Sequence, residues 1–212
     1  MGIPVLILGE SGSGKTYSVK NMDPTKVGIF SVRKGTLPFI GGEKFIVKKH
    51  ATYSDIYKAL GNPDLKTRTW VIDDSQYLMV DEYFKKANDT GYQKYTQIGK
   101  NFSDLFEFIA YNTPDDVICY FLHHTQTTSE GKVKAKTVGQ MLDNYLTLEG
   151  CVDICLLAMT DGKDHFFLTQ SDGSNTAKSP EGMFELKIPN DLAFVDKQIR
   201  SYWKIDGKKA DK

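Results

Sequence analysis

At 212 residues, with 40% hydrophobic and 25% charged side chains, the chain has the size and composition of one soluble globular domain able to bury a continuous core. Lys+Arg and Asp+Glu balance at 27 each, which excludes a global field drawing the protein onto nucleic acid or membrane; any polyanion contact must come from a local patch. No apolar run approaches the ~20 residues of a membrane span, and the first residues carry neither a basic n-region nor a cleavage site, so they read as a strand and not a signal peptide.

The first predicted strand, Ile3–Leu8, runs into Gly9-Glu10-Ser11-Gly12-Ser13-Gly14-Lys15-Thr16. Glycines at 9, 12 and 14 let the backbone curl so that successive N–H groups point inward, where a Cβ would obstruct a phosphate oxygen. A helix over Lys15–Asn21 would add its positive N-terminal end. Lys15 supplies a point charge for the β- and γ-phosphates, and the Thr16 hydroxyl is a ligand for Mg²⁺. This is the P-loop or Walker A pattern. Gly9, Glu10, Ser11, Gly12, Ser13, Gly14, Lys15, Thr16 and Tyr17 form the expected nucleotide-binding set. The competing reading, a Gly/Ser-rich turn that matches by accident, is weakened by the strand before it and the helix after it.

Strands at Val27–Val32, Lys44–Lys48 and Thr69–Asp73 then alternate with helices at Tyr53–Leu60, Gln76–Ala87 and Tyr92–Tyr111, the mark of an α/β sheet. In the last helix Tyr95, Ile98, Phe102, Leu105, Phe106 and Ile109 recur at three- and four-residue steps, a core stripe and not a stacking platform. Trp70-Val71-Ile72 ends in Asp73-Asp74, which resembles a Walker B element, a carboxylate at the tip of a buried strand held beside Mg²⁺. Asp73 is the expected Mg²⁺ residue; the plainer alternative is a strand that stops at an acidic turn.

A further buried strand, Val117–His123, leads to His124-Thr125-Gln126. In P-loop ATPases with a strand inserted between the Walker A and Walker B strands, that strand's tip carries a polar sensor, here His123, His124 or Gln126. Adjacent residues of a strand point to opposite sides, so only one histidine faces the site; a pair merely capping the strand is the alternative. Next, Lys132-Val-Lys-Ala-Lys136 would, if extended, project Lys132, Lys134 and Lys136 to one side, matching a nucleic-acid backbone. The rival explanation is an exposed hairpin whose lysines discourage edge pairing. A helix is predicted at Val138–Leu148 and strands at Val152–Met159 and His165–Thr169, joined by a hairpin turn through 160–164. Polar stretches at 125–137 and 171–183 read as functional loops, and Asp206–Lys212 as a charged tail beyond a single domain over 1–205. Cys119, Cys151 and Cys155 read as buried free thiols of a reducing compartment, and the Cys151-x3-Cys155 spacing is wrong for zinc.

Taken together these segments resemble the phage-encoded RecA-like P-loop ATPases, the phage nucleotide-binding proteins that include the ATP-dependent single-strand annealing type. The matching residues are Gly9–Thr16, Trp70–Gln76, Phe121–His124, 136–145 (KTVGQMLDNY), 176–184 (TAKSPEGMF) and Ile188-Pro-Asn-Asp191. The resemblance implies a RecA-like core with a central, mostly parallel sheet flanked by helices and a C-terminal β-hairpin. It also implies Mg²⁺-dependent ATP hydrolysis, homo-oligomerisation as a ring or filament on single-stranded DNA, a role in DNA recombination, and the cytoplasm of a phage-infected bacterial host. A single-strand-binding protein is a further candidate partner. Lys178 falls where related ATPases present a cation across the subunit interface to a neighbour's γ-phosphate; a solvated loop lysine is the alternative. The chain departs from the RecA pattern after its second strand, where Ser31-Val32-Arg33-Lys34 offers no carboxylate to activate water. Asp74 is then the candidate base, with Glu10 behind it. The rival functions are a nucleotide-gated adaptor such as a helicase loader, and a small-molecule kinase; Arg33, Arg68 and Arg200 are too scattered for the arginine-rich lid of a kinase.

Overall fold

The computed structural model describes residues 1–33, 35–143 and 146–205. Lys34, Asn144, Tyr145 and the charged tail 206–212 lie outside the described residues. The fold is α/β, one mostly parallel mixed sheet flanked by helices. Its strands, in chain order, are β1 (Ile3–Gly9), β2 (Val27–Ser31), β3 (Val47–Lys49), β4 (Thr69–Asp73), β5 (Ile118–Thr127), β6 (Val133–Ala135), β7 (Ile154–Thr160), β8 (His165–Leu168) and β9 (Lys187–Pro189). They run in the order β3-β2-β4-β5-β1-β7-β8-β9, with β6 paired to β5 off this path. The run from β3 to β7 is parallel, and β8 and β9 are added antiparallel. β5 therefore lies between β1 and β4.

Strands buried on both faces read as continuous apolar runs, and the two faces are covered by different helices. On one side Leu6, Leu8, Ile72, Phe121 and Leu157 pack with Ile98, Phe102, Leu105, Phe106 and Ile109 of α3 (Gln93–Asn112), and with α1 (Tyr53–Leu60) and α2 (Gln76–Lys85). The other side joins Val5, Ile7, Val71, Tyr120, Leu122 and Leu156 to Val19 and to Leu192, Val195 and Ile199 of α5 (Leu192–Trp203). α1 opens on a reciprocal cap in which Thr52 and Asp55 each satisfy the other's backbone N–H.

Several expected elements come out differently. The helix after the glycine-rich loop is a six-residue 3-10 segment, Thr16–Asn21, because Asp23-Pro24 forces the chain out and Met22 is already extended (ψ 152°). The strand expected at 44–48 starts only at Val47; Gly41 and a 3-10 turn at Gly42–Lys44 precede it. Of the helix expected over 138–148, the described residues show α4 (Gln140–Asp143), with 144 and 145 outside them, and Leu148–Cys151 forms a 3-10 turn. The expected C-terminal hairpin is present as β7 and β8, but β9 and α5 follow it. Cys119 and Cys155 are buried, while Cys151 sits partly exposed in the 3-10 turn. Among the described residues no helix is long and apolar enough to cross a membrane.

Candidate functional site

The carboxyl ends of β1, β4 and β5 converge at one edge of the sheet. Register aligns Gly9 with His124 across β1 and β5, and Ile72 with Phe121 across β4 and β5. The loop after β1 curls through Gly12 (φ 84°) and Gly14 (φ 93°), a left-handed conformation that side chains with a Cβ adopt only under strain. No atom lies within 4 Å of where a Cβ on Gly12 would sit. Ser13 Oγ is buried in the loop and has no hydrogen-bond partner among the described residues.

Lys15 is 7% exposed and donates from Nζ to the carbonyls of Gly9 (2.7 Å) and Glu10 (2.8 Å). Burial lowers its pKa to about 8, against the pull of Asp74, Asp73 and Glu10, which favour the charged form. Thr16 Oγ1 donates to Asp73 Oδ1 at 2.8 Å. Burial and the neighbouring charge of Asp74 raise the Asp73 carboxyl to about 6, only partly offset by Thr16 and Lys15. The hydroxyl from the loop and the carboxylate from β4 thus meet as a hard-oxygen pair beside a buried ammonium.

Asp74 adopts φ 60°, a conformation that Asp tolerates better than most residues. Its Oδ1 lies 3.4 Å from His124 Nε2, and the His124 ring meets Tyr77 edge-on. The two histidines part company here. His123 is fully buried against Phe102; its Nε2–H donates to the Lys136 carbonyl (2.8 Å), and its Nδ1 lies 2.9 Å from the Ser75 hydroxyl. Desolvation holds it neutral, with a pKa lowered to about 4. With both ring nitrogens engaged in the protein interior, His123 is withdrawn from the site, correcting its place among the candidate catalytic groups. His124 remains beside Asp74. Gln126 is also committed elsewhere, donating to Asp143 Oδ2 at 2.7 Å.

The remaining candidates are spread apart. Glu10 and Ser11 are exposed on the loop. Lys178 exchanges both backbone hydrogen bonds with Cys155 (2.8 Å each), which is in register with Leu6, back along β1 from the loop. Its charge is felt at the Cys151 and Cys155 thiols, on the α3 side of the sheet. Lys132 and Lys136 are exposed at the ends of β6, but Lys134 Nζ lies 3.2 Å from Asp143 Oδ2. The expected row of three free lysines is therefore two free and one neutralised, on a hairpin with β5. Sequence reasoning missed Ser75, His165 and Asn190. His165 Nδ1 bonds the Ser13 carbonyl at 3.1 Å, and Asn190 presses on Gly14; the signal for Asn190 was its place in the Ile188–Asp191 segment.

Chemically, the site joins a glycine-turned loop, one buried cation and two hard oxygens, a donor set able to hold a phosphorylated anion carrying a divalent cation. Among the described residues no three His, Cys, Asp or Glu side chains cluster as a metal cage. Mg²⁺ with a nucleotide needs no such cage, because phosphate and water fill most of its positions. Compared with models of known families and with characterised proteins, the chain finds no match.

Proposed function

We propose that the protein is a Mg²⁺-dependent ATPase of the RecA-like P-loop class that acts in DNA recombination by binding and annealing single-stranded DNA. The observation that carries the nucleotide half of this reading is the Thr16–Asp73 contact at 2.8 Å beside Lys15. A hydroxyl directly after the loop lysine meets a carboxylate from another strand, and a metal–triphosphate needs both. In this reading Lys15 exchanges its two loop carbonyls for phosphate oxygens, and the loop N–H groups supply the cradle. Because the following segment is short and 3-10, the loop and not a helix dipole carries the anion affinity. Mg²⁺, held by Thr16 and Asp73, would offset phosphate charge as it builds on the leaving side. Asp74 is the residue that orients water, with Glu10 as its substitute, and His124 reads the γ-phosphate. Lys178 acts on a neighbouring subunit.

The DNA half rests on the resemblance and on Lys132 and Lys136. Neutralisation of Lys134 by Asp143 shrinks that patch, which favours the adaptor reading to the same extent. One measurement set separates the readings: phosphate release and solution size, each with and without single-stranded DNA. Turnover and assembly should both rise with DNA and vanish in Lys15→Ala. Full turnover in Lys15→Ala refutes the site. Turnover insensitive to DNA but altered by a replication protein favours the adaptor.

A further inference from the structure

Beside the glycine-rich loop lies a cleft of about 560 Å³ lined by Tyr17, Lys163, Asp164, His165 and Asn190. Its volume falls within the ~300–1,000 Å³ of small-molecule sites. Three separate parts of the chain build it: the residue after Thr16, the turn between β7 and β8 with the first residue of β8, and Asn190 in the link between β9 and α5. The cleft touches the loop directly, since a Cβ on Gly14 would stand 2.9 Å from His165 Nδ1 and 3.2 Å from Asn190 Nδ2. His165 is fixed there by its bond to the Ser13 carbonyl. That carbonyl can only accept, so Nδ1 carries the proton and Nε2 is left as an acceptor. Tyr17 is 40% exposed and is braced edge-on by Phe39, with Lys20 over its ring and on its hydroxyl.

Asn190 is the unexplained group. Its side-chain oxygen and nitrogen are both buried, and neither has a hydrogen-bond partner among the described residues. Native interiors seldom leave an amide so. With no bond to give up, the amide can turn into the cleft for the cost of a rotamer change.

We propose that this cleft holds the nucleoside half of the triphosphate, and that Asn190 reads the Hoogsteen edge of the base and so selects adenine over guanine. The inference rests on residues 9–16 being the triphosphate site. An amide offers one donor and one acceptor side by side. On the Hoogsteen edge adenine presents the complement, N6–H beside the N7 acceptor, whereas guanine presents two acceptors there, O6 and N7. Read on that edge, one amide pairs twice with adenine and only once with guanine. Tyr17 supplies the aromatic surface on which a base would rest.

The test is competitive displacement of a fluorescent ATP analogue from the full chain by ATP, GTP, N6,N6-dimethyl-ATP and inorganic tripolyphosphate. The wild type should prefer ATP over GTP and over the dimethylated analogue by about tenfold or more. Asn190→Ala should bind ATP and GTP within about threefold of each other with its tripolyphosphate affinity unchanged, and Tyr17→Ala should weaken ATP but not tripolyphosphate. Equal wild-type affinity for ATP, GTP and the dimethylated analogue overturns the base-reading role while leaving the triphosphate site standing. Discrimination retained in Asn190→Ala, or a parallel loss of tripolyphosphate affinity, also overturns it. No binding of any of the four ligands overturns the triphosphate site and the cleft's role together. The dimethylated analogue needs no variant, so the test survives a variant that fails to fold.

Discussion

Asp73→Asn should make the protein more stable and less able to bind Mg²⁺–ATP. In the folded chain the carboxyl titrates at about 6 against an ordinary 3.8. At about 1.4 kcal/mol per pH unit, an ionised Asp73 costs the fold about 3 kcal/mol. The folded value lies above the unfolded one, so the cost is absent below pH 3.8, grows as pH rises towards 6, and is full above that. Asparagine removes the charge and keeps an oxygen to accept from Thr16, but its NH₂ group needs a partner, which returns about 1–2 kcal/mol. The expected net gain at pH 7.5 is about 1–2 kcal/mol by urea denaturation without nucleotide, turning into a deficit of about 1 kcal/mol near pH 4, where the wild-type carboxyl is protonated and the amide penalty remains. Saturating Mg²⁺–ATP should reverse the ranking. At a hundredfold excess over Kd the wild type gains about 2.7 kcal/mol by mass action, and the variant should gain well under half of that. A variant no more stable than wild type at pH 7.5, or stabilised equally by Mg²⁺–ATP, refutes the reasoning.

Other expectations concern the loop and the basic hairpin. Gly14→Ala puts a Cβ at φ 93° and 2.9 Å from His165, so it should lower thermal stability and weaken nucleotide binding together; a normal melting temperature with normal affinity contradicts the loop geometry. Lys132→Ala and Lys136→Ala should each reduce the log–log salt slope of single-stranded DNA binding by about 1, and Lys134→Ala by much less because Asp143 already neutralises it. Equal effects at all three positions would mean the Lys134–Asp143 pair does not persist on DNA.

The alternation of apolar runs with helical stripes made the sheet legible, because strands buried on both faces and α3 each carry a one-dimensional pattern. Asp73 was legible for the same reason, as a carboxylate at the end of such a run. What the chain hid was tertiary. Strand alternation established that His123 and His124 face opposite ways, but which of them meets the loop depends on which side of the sheet the loop lies. Lys134 and Asp143 are brought together by a hairpin and the helical stretch Gln140–Asp143, neither of which has a strong local period. α5 did have a stripe, Leu192, Val195 and Ile199, and a capping residue in Asp191, whose side chain accepts from the Ala193 N–H. It follows Pro189 closely, and no predicted element covers it. Asn190 was marked only by its place in the Ile188–Asp191 segment, and its contact with the loop stayed hidden because that depends on Gly14, far away in sequence.

His123 gains a different role from being excluded from the site. Its ring spans Ser75, directly after the acidic tip of β4, and the carbonyl of Lys136, at the end of the basic hairpin. If nucleotide at Asp73 and DNA at Lys136 influence one another, this buried bridge is a short physical link between them. His123→Leu would leave the Lys136 carbonyl poorly satisfied, at about 1–3 kcal/mol, while the Ser75 hydroxyl keeps the Leu122 carbonyl at 3.1 Å. Nucleotide affinity should stay within about threefold while stimulation of turnover by single-stranded DNA falls. His123→Gln, whose NH₂ group can still donate to Lys136, should recover part of that stimulation. A folded pKa of about 4 lies below the ordinary 6.5, so this histidine withdraws stability as pH falls from 6.5 towards 4 and none above. Its contribution to DNA stimulation should therefore be flat between pH 7 and 8. Full stimulation in His123→Leu would show that the two ends of the bridge act independently.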